Sequence, residues 1–207
     1  MIDLTAGDIR FGCYLRPSFA VCRAQADLHA LLARQYNLHA AGRFMPHATL
    51  KGFYRAAAPV PTMVAALDHV LTEFAPFTVV NNGPIPFGRG SVVIDVHNDE
   101  HGGPNEALHA LHEAVFTALA PLVDPACEFT PGEPARASFF AHLTLVMADM
   151  PEWLFDEVFA FIQEAEPIGP RHFPAEFVQL FAFESVDWSG RWWETLTWEL
   201  LHSWKLG

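Results

Sequence analysis

One pattern, Phe-x-x-His-x-Thr-Leu, occurs twice in the chain, as Phe44-Met45-Pro46-His47-Ala48-Thr49-Leu50 and as Phe139-Phe140-Ala141-His142-Leu143-Thr144-Leu145. Side chains alternate across an extended strand, so His47 and Thr49 share one face, as do His142 and Thr144. Ala48, Leu50, Leu143, Leu145 and Met147 point the other way, as on a strand with one face on a core and the other on a cleft. Imidazole titrates near neutrality, so of two rings facing each other one takes a proton while the other delivers one. The hydroxyls of Thr49 and Thr144 suit the non-bridging oxygens of a phosphate held between them. Backbone amides or Lys51 would stabilise the charge added in a pentacoordinate transition state. That chemistry requires no metal.

Lys51 follows His47 by four positions, so strict alternation turns it to the same cleft, as a phosphate partner or a solvated rim residue. Phe53, two residues on, is expected to stack a base or line the pocket. Arg43 and Arg55 flank the first motif and Arg136 precedes the second, either converging on a small anion or scattered over the surface. His97, His101, His109 and His112 crowd one region and suggest a metal site, but His109 and His112, one helical turn apart beside the apolar stripe, read as a solvated helix face instead. Cys13, Cys22 and Cys127 lack the paired spacing of zinc sites or a disulfide framework and read as reduced thiols. No nucleophilic triad, phosphate-binding loop or dinucleotide fingerprint is present.

These groups need elements to position them. A strand over 11–15 ends at Pro17, and Ser18 is placed to cap a helix reaching Tyr36, with Asn37 as its stop. The first motif strand covers 47–54. Pro59 and Pro61 open a second helix with Val64, Leu67, Leu71 and Phe74 on one stripe. Strands follow over 77–81 and 91–96, separated by a turn-rich Gly83-Pro84-Ile85-Pro86. A helix from Pro104 or Asn105 carries Leu108, Leu111, Val115 and Leu119, and a Pro-rich loop over 121–134 leads into the second motif strand. Asp149 and Glu152 form a capping pair for a helix with Leu154, Val158 and Phe161, and strands over 177–184 and 192–200 close the chain. The order strand, helix, strand, helix recurs in both halves, which points to an α+β protein of two similar lobes.

With 207 residues, 51% of them hydrophobic, the chain can bury a sizeable core. Its formal charge of −12 disfavours a long phosphate backbone, which needs clustered Lys and Arg, and leaves small anions as partners. No basic-then-apolar leader and no apolar run of roughly 20 residues is seen, so a cytoplasmic, membrane-free monomer is the expectation.

On its paired motifs, His47-Ala48-Thr49-Leu50 and His142-Leu143-Thr144-Leu145, the chain resembles the two-histidine (2H) phosphoesterase superfamily, in particular its 2′-5′ RNA ligase or RNA 2′,3′-cyclic phosphodiesterase branch. Tyr14-Leu15-Arg16-Pro17, the run from Val178 to Ser185 and Trp193-Glu194-Thr195-Leu196 extend the likeness over most of the chain. The resemblance implies one bilobal α+β domain over 1–207, with two pseudo-twofold-related antiparallel sheets flanked by helices around a central cleft. It also implies cofactor-free, metal-free phosphodiester chemistry with His47 and His142 as acid and base. The expected activity is hydrolysis of 2′,3′-cyclic phosphates, with a small cyclic nucleotide or an RNA 2′,3′-cyclic phosphate end as partner. A catalytically silent nucleotide or RNA-end binding module, or 2′-5′ RNA ligase activity at the same site, is the alternative.

Overall fold

The computed structural model describes residues 2–4, 8–88, 90–130 and 139–207; Arg136 and the end of the Pro-rich loop lie outside them. Its elements are β1 (Arg10–Arg16), α1 (Phe19–Tyr36), β2 (Ala48–Tyr54), α2 (Val60–Leu71), β3 (Phe77–Val80), β4 (Pro84–Pro86), β5 (Val92–Asp95), α3 (Glu106–Leu119), β6 (His142–Val146), α4 (Phe155–Glu164), β7 (His172–Ala175), β8 (Phe177–Glu184) and β9 (Thr197–Lys205). β4-β5-β6-β2-β1-β8-β9 form an antiparallel sheet, and β3 with β7 a smaller one. The fold is a mixed α+β architecture in which the two motif strands, β6 and β2, lie side by side near the middle of the large sheet.

Local chemistry explains the helices. Asn37 ends α1 in the left-handed conformation (φ 58°), its N–H donating to Ala33 O, a geometry Asn tolerates. Ser18 occupies the position before α1 but makes no side-chain cap bond. Pro59 precedes α2 and Pro61 sits in its first turn, where a missing N–H costs nothing. The Asn105 side chain caps α3 by accepting from Leu108 N at 3.2 Å, and its Nδ2 donates to Thr78 O at 3.0 Å. Asp149 caps no helix; its Oδ2 accepts from the backbone N–H groups of His39 (2.5 Å) and Ala40 (2.8 Å), tying the end of one motif strand to the approach of the other.

Three strand expectations shift. Gly83-Pro84-Ile85-Pro86 holds a short edge strand, β4, where proline is tolerated because one side of the strand needs no ladder donor. β7 has no counterpart among the expected strands. The last strand starts at Thr197, with a 3-10 turn over Trp192–Glu194 before it. A single continuous set of buried apolar side chains fills the space under the large sheet, including Leu50, Leu143 and Leu145 from the motif strands and Leu108, Leu111 and Val115 from α3. Among the described residues no helix is long and apolar enough to cross a membrane.

Replacing Asn105 by Ala removes a helix cap and a buried link to β3, so it should lower the unfolding free energy by about 1–2 kcal/mol in urea denaturation.

Candidate active site

β2 and β6 are antiparallel and pair at Ala48↔Leu143, the one register position the described residues show between them. A step to either side brings His47 toward Thr144 and His142 toward Thr49, so a local twofold through Ala48 and Leu143 exchanges the motifs. The alternation holds: Ala48, Leu50, Leu143 and Leu145 are buried, whereas His47, Thr49, His142 and Thr144 are half-buried on the opposite face.

Both imidazoles are oriented the same way. His47 Nδ1 donates to Met45 O at 2.7 Å and His142 Nδ1 to Phe140 O at 2.8 Å, each two residues upstream. A carbonyl only accepts, so Nδ1 carries the proton and Nε2 is the atom left for proton transfer. Tyr14 packs edge-on to His47 at 4.5 Å, with Phe44 at 5.9 Å, while Phe87 stacks on His142 at 4.9 Å. Gly12 makes room for Tyr14, since a Cβ there would overlap the phenol ring.

Burial among rings disfavours the charged form of both. Desolvation, helped by repulsion from His142 and His29, pushes the His47 pKa down to about 4 against its carbonyl bond. His142 is lowered too, again by burial. The same cause lowers two helical histidines, His112 of the cluster and His29, which no sequence motif singles out.

Two cavities meet at Thr49, Gly52 and Phe53. One, of about 310 Å³, holds His142 and Lys51 under walls of Phe87, Phe129, Phe139 and Phe140. The other, of about 260 Å³, holds His47 and Thr144 under Tyr14, Phe44 and Trp192. Phe53 lies where expected, lining both, against Phe183 at 5.0 Å and Trp188 at 5.3 Å. Lys51 departs from simple alternation. Cys13 and Tyr14 of β1 face Lys51 and Thr49, so Leu50 is an extra residue, and this bulge turns Lys51 toward α3. Only 2% exposed, its ammonium lies 4.4 Å from the Phe116 ring and bonds Thr130 Oγ1, and burial lowers its pKa to about 8. It is thus a wall of the His142 cavity and not a solvated rim residue.

Arg55 pairs with Asp8 and Asp124 instead of entering the cleft, and Arg43 is exposed beside a groove behind Phe44. The solvated-face reading of the histidine cluster is corrected: His109 and His112 are 3% and 7% exposed. His109 Nε2 donates to His97 Nδ1 at 3.3 Å, and His112 stacks on Phe139 with centroids 3.7 Å apart. Among the described residues no three His, Cys, Asp or Glu side chains converge as a metal-binding group. The motif phenylalanines are legible as pattern, but their distant partners, His112 for Phe139 and Phe183 and Trp192 for Phe44, come from tertiary packing.

The fold matches solved structures along nearly its whole length. The protein TT0787 of Thermus thermophilus aligns with a TM-score of 0.60 at 17% identity, over 95% of this chain and 97% of that one. Escherichia coli LigT in its apo form aligns with a TM-score of 0.53 at 15% identity, over 97% and 99%. No curated protein matches in sequence. Fold and paired motifs together define a 2H phosphoesterase-like protein. The chain belongs to the 2′-5′ RNA ligase superfamily, whose family model matches residues 20–169.

The lowered imidazoles set a pH dependence. Unfolded histidines take up protons near pH 6.5, whereas His29, His47, His112 and His142 in the folded state resist until lower pH, so the unfolded state binds more protons in that window. Their contribution is complete above pH 6.5 and is lost as pH falls through the folded values, down to about 4 for His47. Urea midpoints should therefore fall between pH 7 and pH 5, less steeply in His29→Gln.

Proposed function

We propose that this protein is a metal-independent phosphodiesterase that hydrolyses 2′,3′-cyclic phosphates of nucleotides or RNA ends. The observation that carries the reading is the pair of carbonyl-oriented imidazoles, each presenting Nε2 to the face that also carries Thr49 and Thr144. One ring takes a proton from water as the water oxygen bonds to phosphorus. The other protonates the ribose oxygen as its P–O bond breaks, leaving a phosphomonoester. The threonine hydroxyls donate to the non-bridging oxygens. Crystals of E. coli LigT with 3′-AMP and with phosphate are compatible with such a ligand in this fold.

His47, whose surroundings resist charge more strongly, is assigned the base, and His142 the acid, which a bound phosphate anion helps to protonate. The aromatic walls supply base-stacking surface at little cost in charge: Phe87, 45% exposed, stands nearly parallel to His142, with an interplanar angle of 29°. Phe53 contributes at the junction of the cavities. A small cyclic nucleotide or a single RNA end suits a chain of net charge −12 better than a duplex does.

His47→Ala and His142→Ala should each lower kcat on nucleoside 2′,3′-cyclic monophosphates by about 10²–10⁴-fold with the fold intact by circular dichroism. EDTA should have no effect, and near-normal rates in both variants would remove the mechanism. With a 4-nitrophenyl phosphodiester, whose leaving group needs no proton, His142→Ala should recover rate and His47→Ala should not; the reverse pattern exchanges the roles. The kcat/KM profile should be bell-shaped with its maximum on the acid side of pH 6.5, because both free imidazoles are lowered.

A further inference from the structure

We propose that His29 and His112 are positioning residues, which hold the backbone immediately behind the two catalytic threonines through reciprocal bonds from helix to strand. The inference rests on the phosphodiesterase reading above and assigns a function to two buried imidazoles that it leaves unused.

Each motif strand carries a bulge at the same place. Against β1, Thr49 and Lys51 face consecutive residues, so Leu50 is extra; against β5, Thr144 and Val146 face Val93 and Val92, so Leu145 is extra. A bulge leaves ladder groups unpaired, and an unpaired buried carbonyl is costly. In both strands a helical histidine supplies a donor: His112 Nδ1 reaches Leu50 O at 2.7 Å, and His29 Nε2 reaches Thr144 O at 3.1 Å. Gln25 Nε2, one helical turn before His29, donates to the same Thr144 oxygen at 2.8 Å. The carbonyl of Thr144 and the one just past Thr49 are thereby fixed from the core side, while the threonine hydroxyls work on the cleft side.

The bracing is crossed. α1 leads into β2 but holds β6, and α3 leads into β6 but holds β2. Since β2 and β6 meet directly at Ala48↔Leu143, these bonds help to set how far apart the two motifs stand. Imidazole suits this role because it delivers one N–H at a fixed reach from a helix and packs as a flat apolar plate, as His112 does on Phe139.

The test compares His29→Leu and His112→Leu, which remove the donor, with His29→Gln and His112→Asn, which keep an N–H near the original Nε2 and Nδ1 positions. Two readouts are taken on variants with native circular dichroism: kcat and KM on uridine 2′,3′-cyclic monophosphate, and inorganic phosphate affinity from the ring signals of His47 and His142 by NMR. The leucine variants should lose on the order of 10²-fold in kcat with a smaller change in KM, and bind phosphate more weakly, because a displacement near 1 Å has that effect on rate. The glutamine and asparagine variants should recover most of both losses. Unchanged kcat and phosphate affinity in folded leucine variants, or equal damage in both sets, would overturn the proposal. If leucine prevents folding, Gln25→Met removes the companion donor to Thr144 O and should lower kcat several-fold; no change overturns the proposal at β6. If the wild-type protein turns over no cyclic phosphate, the phosphodiesterase reading fails, while the phosphate-affinity comparison still decides this inference.

Discussion

Ala48 and Leu143 place β2 and β6 in contact at the one register position where the described residues join the two halves of the large sheet. Antiparallel order does the rest: with that pair fixed, each histidine is carried toward the threonine of the other motif. The buried alternate positions Leu50, Leu143 and Leu145 anchor the pair to the core, so a slip of one residue would send both imidazoles inward and the leucines into the cleft. Register, set by hydrophobic burial, is what makes two distant sequence segments into one site.

Around that pair the protein sets charge against burial. Aromatic rings enclose both imidazoles and disfavour their charged forms, and the two carbonyl bonds at Met45 and Phe140 limit the effect and orient the rings. Thus a largely aromatic cleft presents imidazole nitrogens, hydroxyls and the Lys51 ammonium as its polar features. Lys51 fits the same logic: buried against Phe116 with its pKa lowered to about 8, it brings a less firmly held charge to the His142 cavity than a surface lysine would.

The repeated motif, the helices and the central strands were legible because periodicity and caps act locally: Asn37, Pro59 and Asn105 each stand where their backbone chemistry demands. The solvated-rim alternative for Lys51 fails because alternation assumes an unbroken ladder, and a bulge at Leu50, which buries the side chain in the wall of the His142 cavity, has no signature in a single sequence. Asp149 and Glu152 have the spacing of a capping pair, yet the carboxylate of Asp149 is taken by backbone donors more than a hundred residues away. His109 and His112 looked solvent-facing because histidine is usually polar surface. Their burial depends on Phe139 and Leu50 O, partners that only the tertiary fold brings near.

The exchange of helices between halves bears on dissection of the chain. A fragment ending before α3 would keep one His-x-Thr strand but lose the imidazole that steadies its bulge, while its own α1 would carry His29 and Gln25 with no acceptor beneath them. Two such fragments could satisfy each other only by associating, each lending its helix to its neighbour. Carrying both halves in one polypeptide makes that exchange of helices intramolecular, so it does not depend on protein concentration.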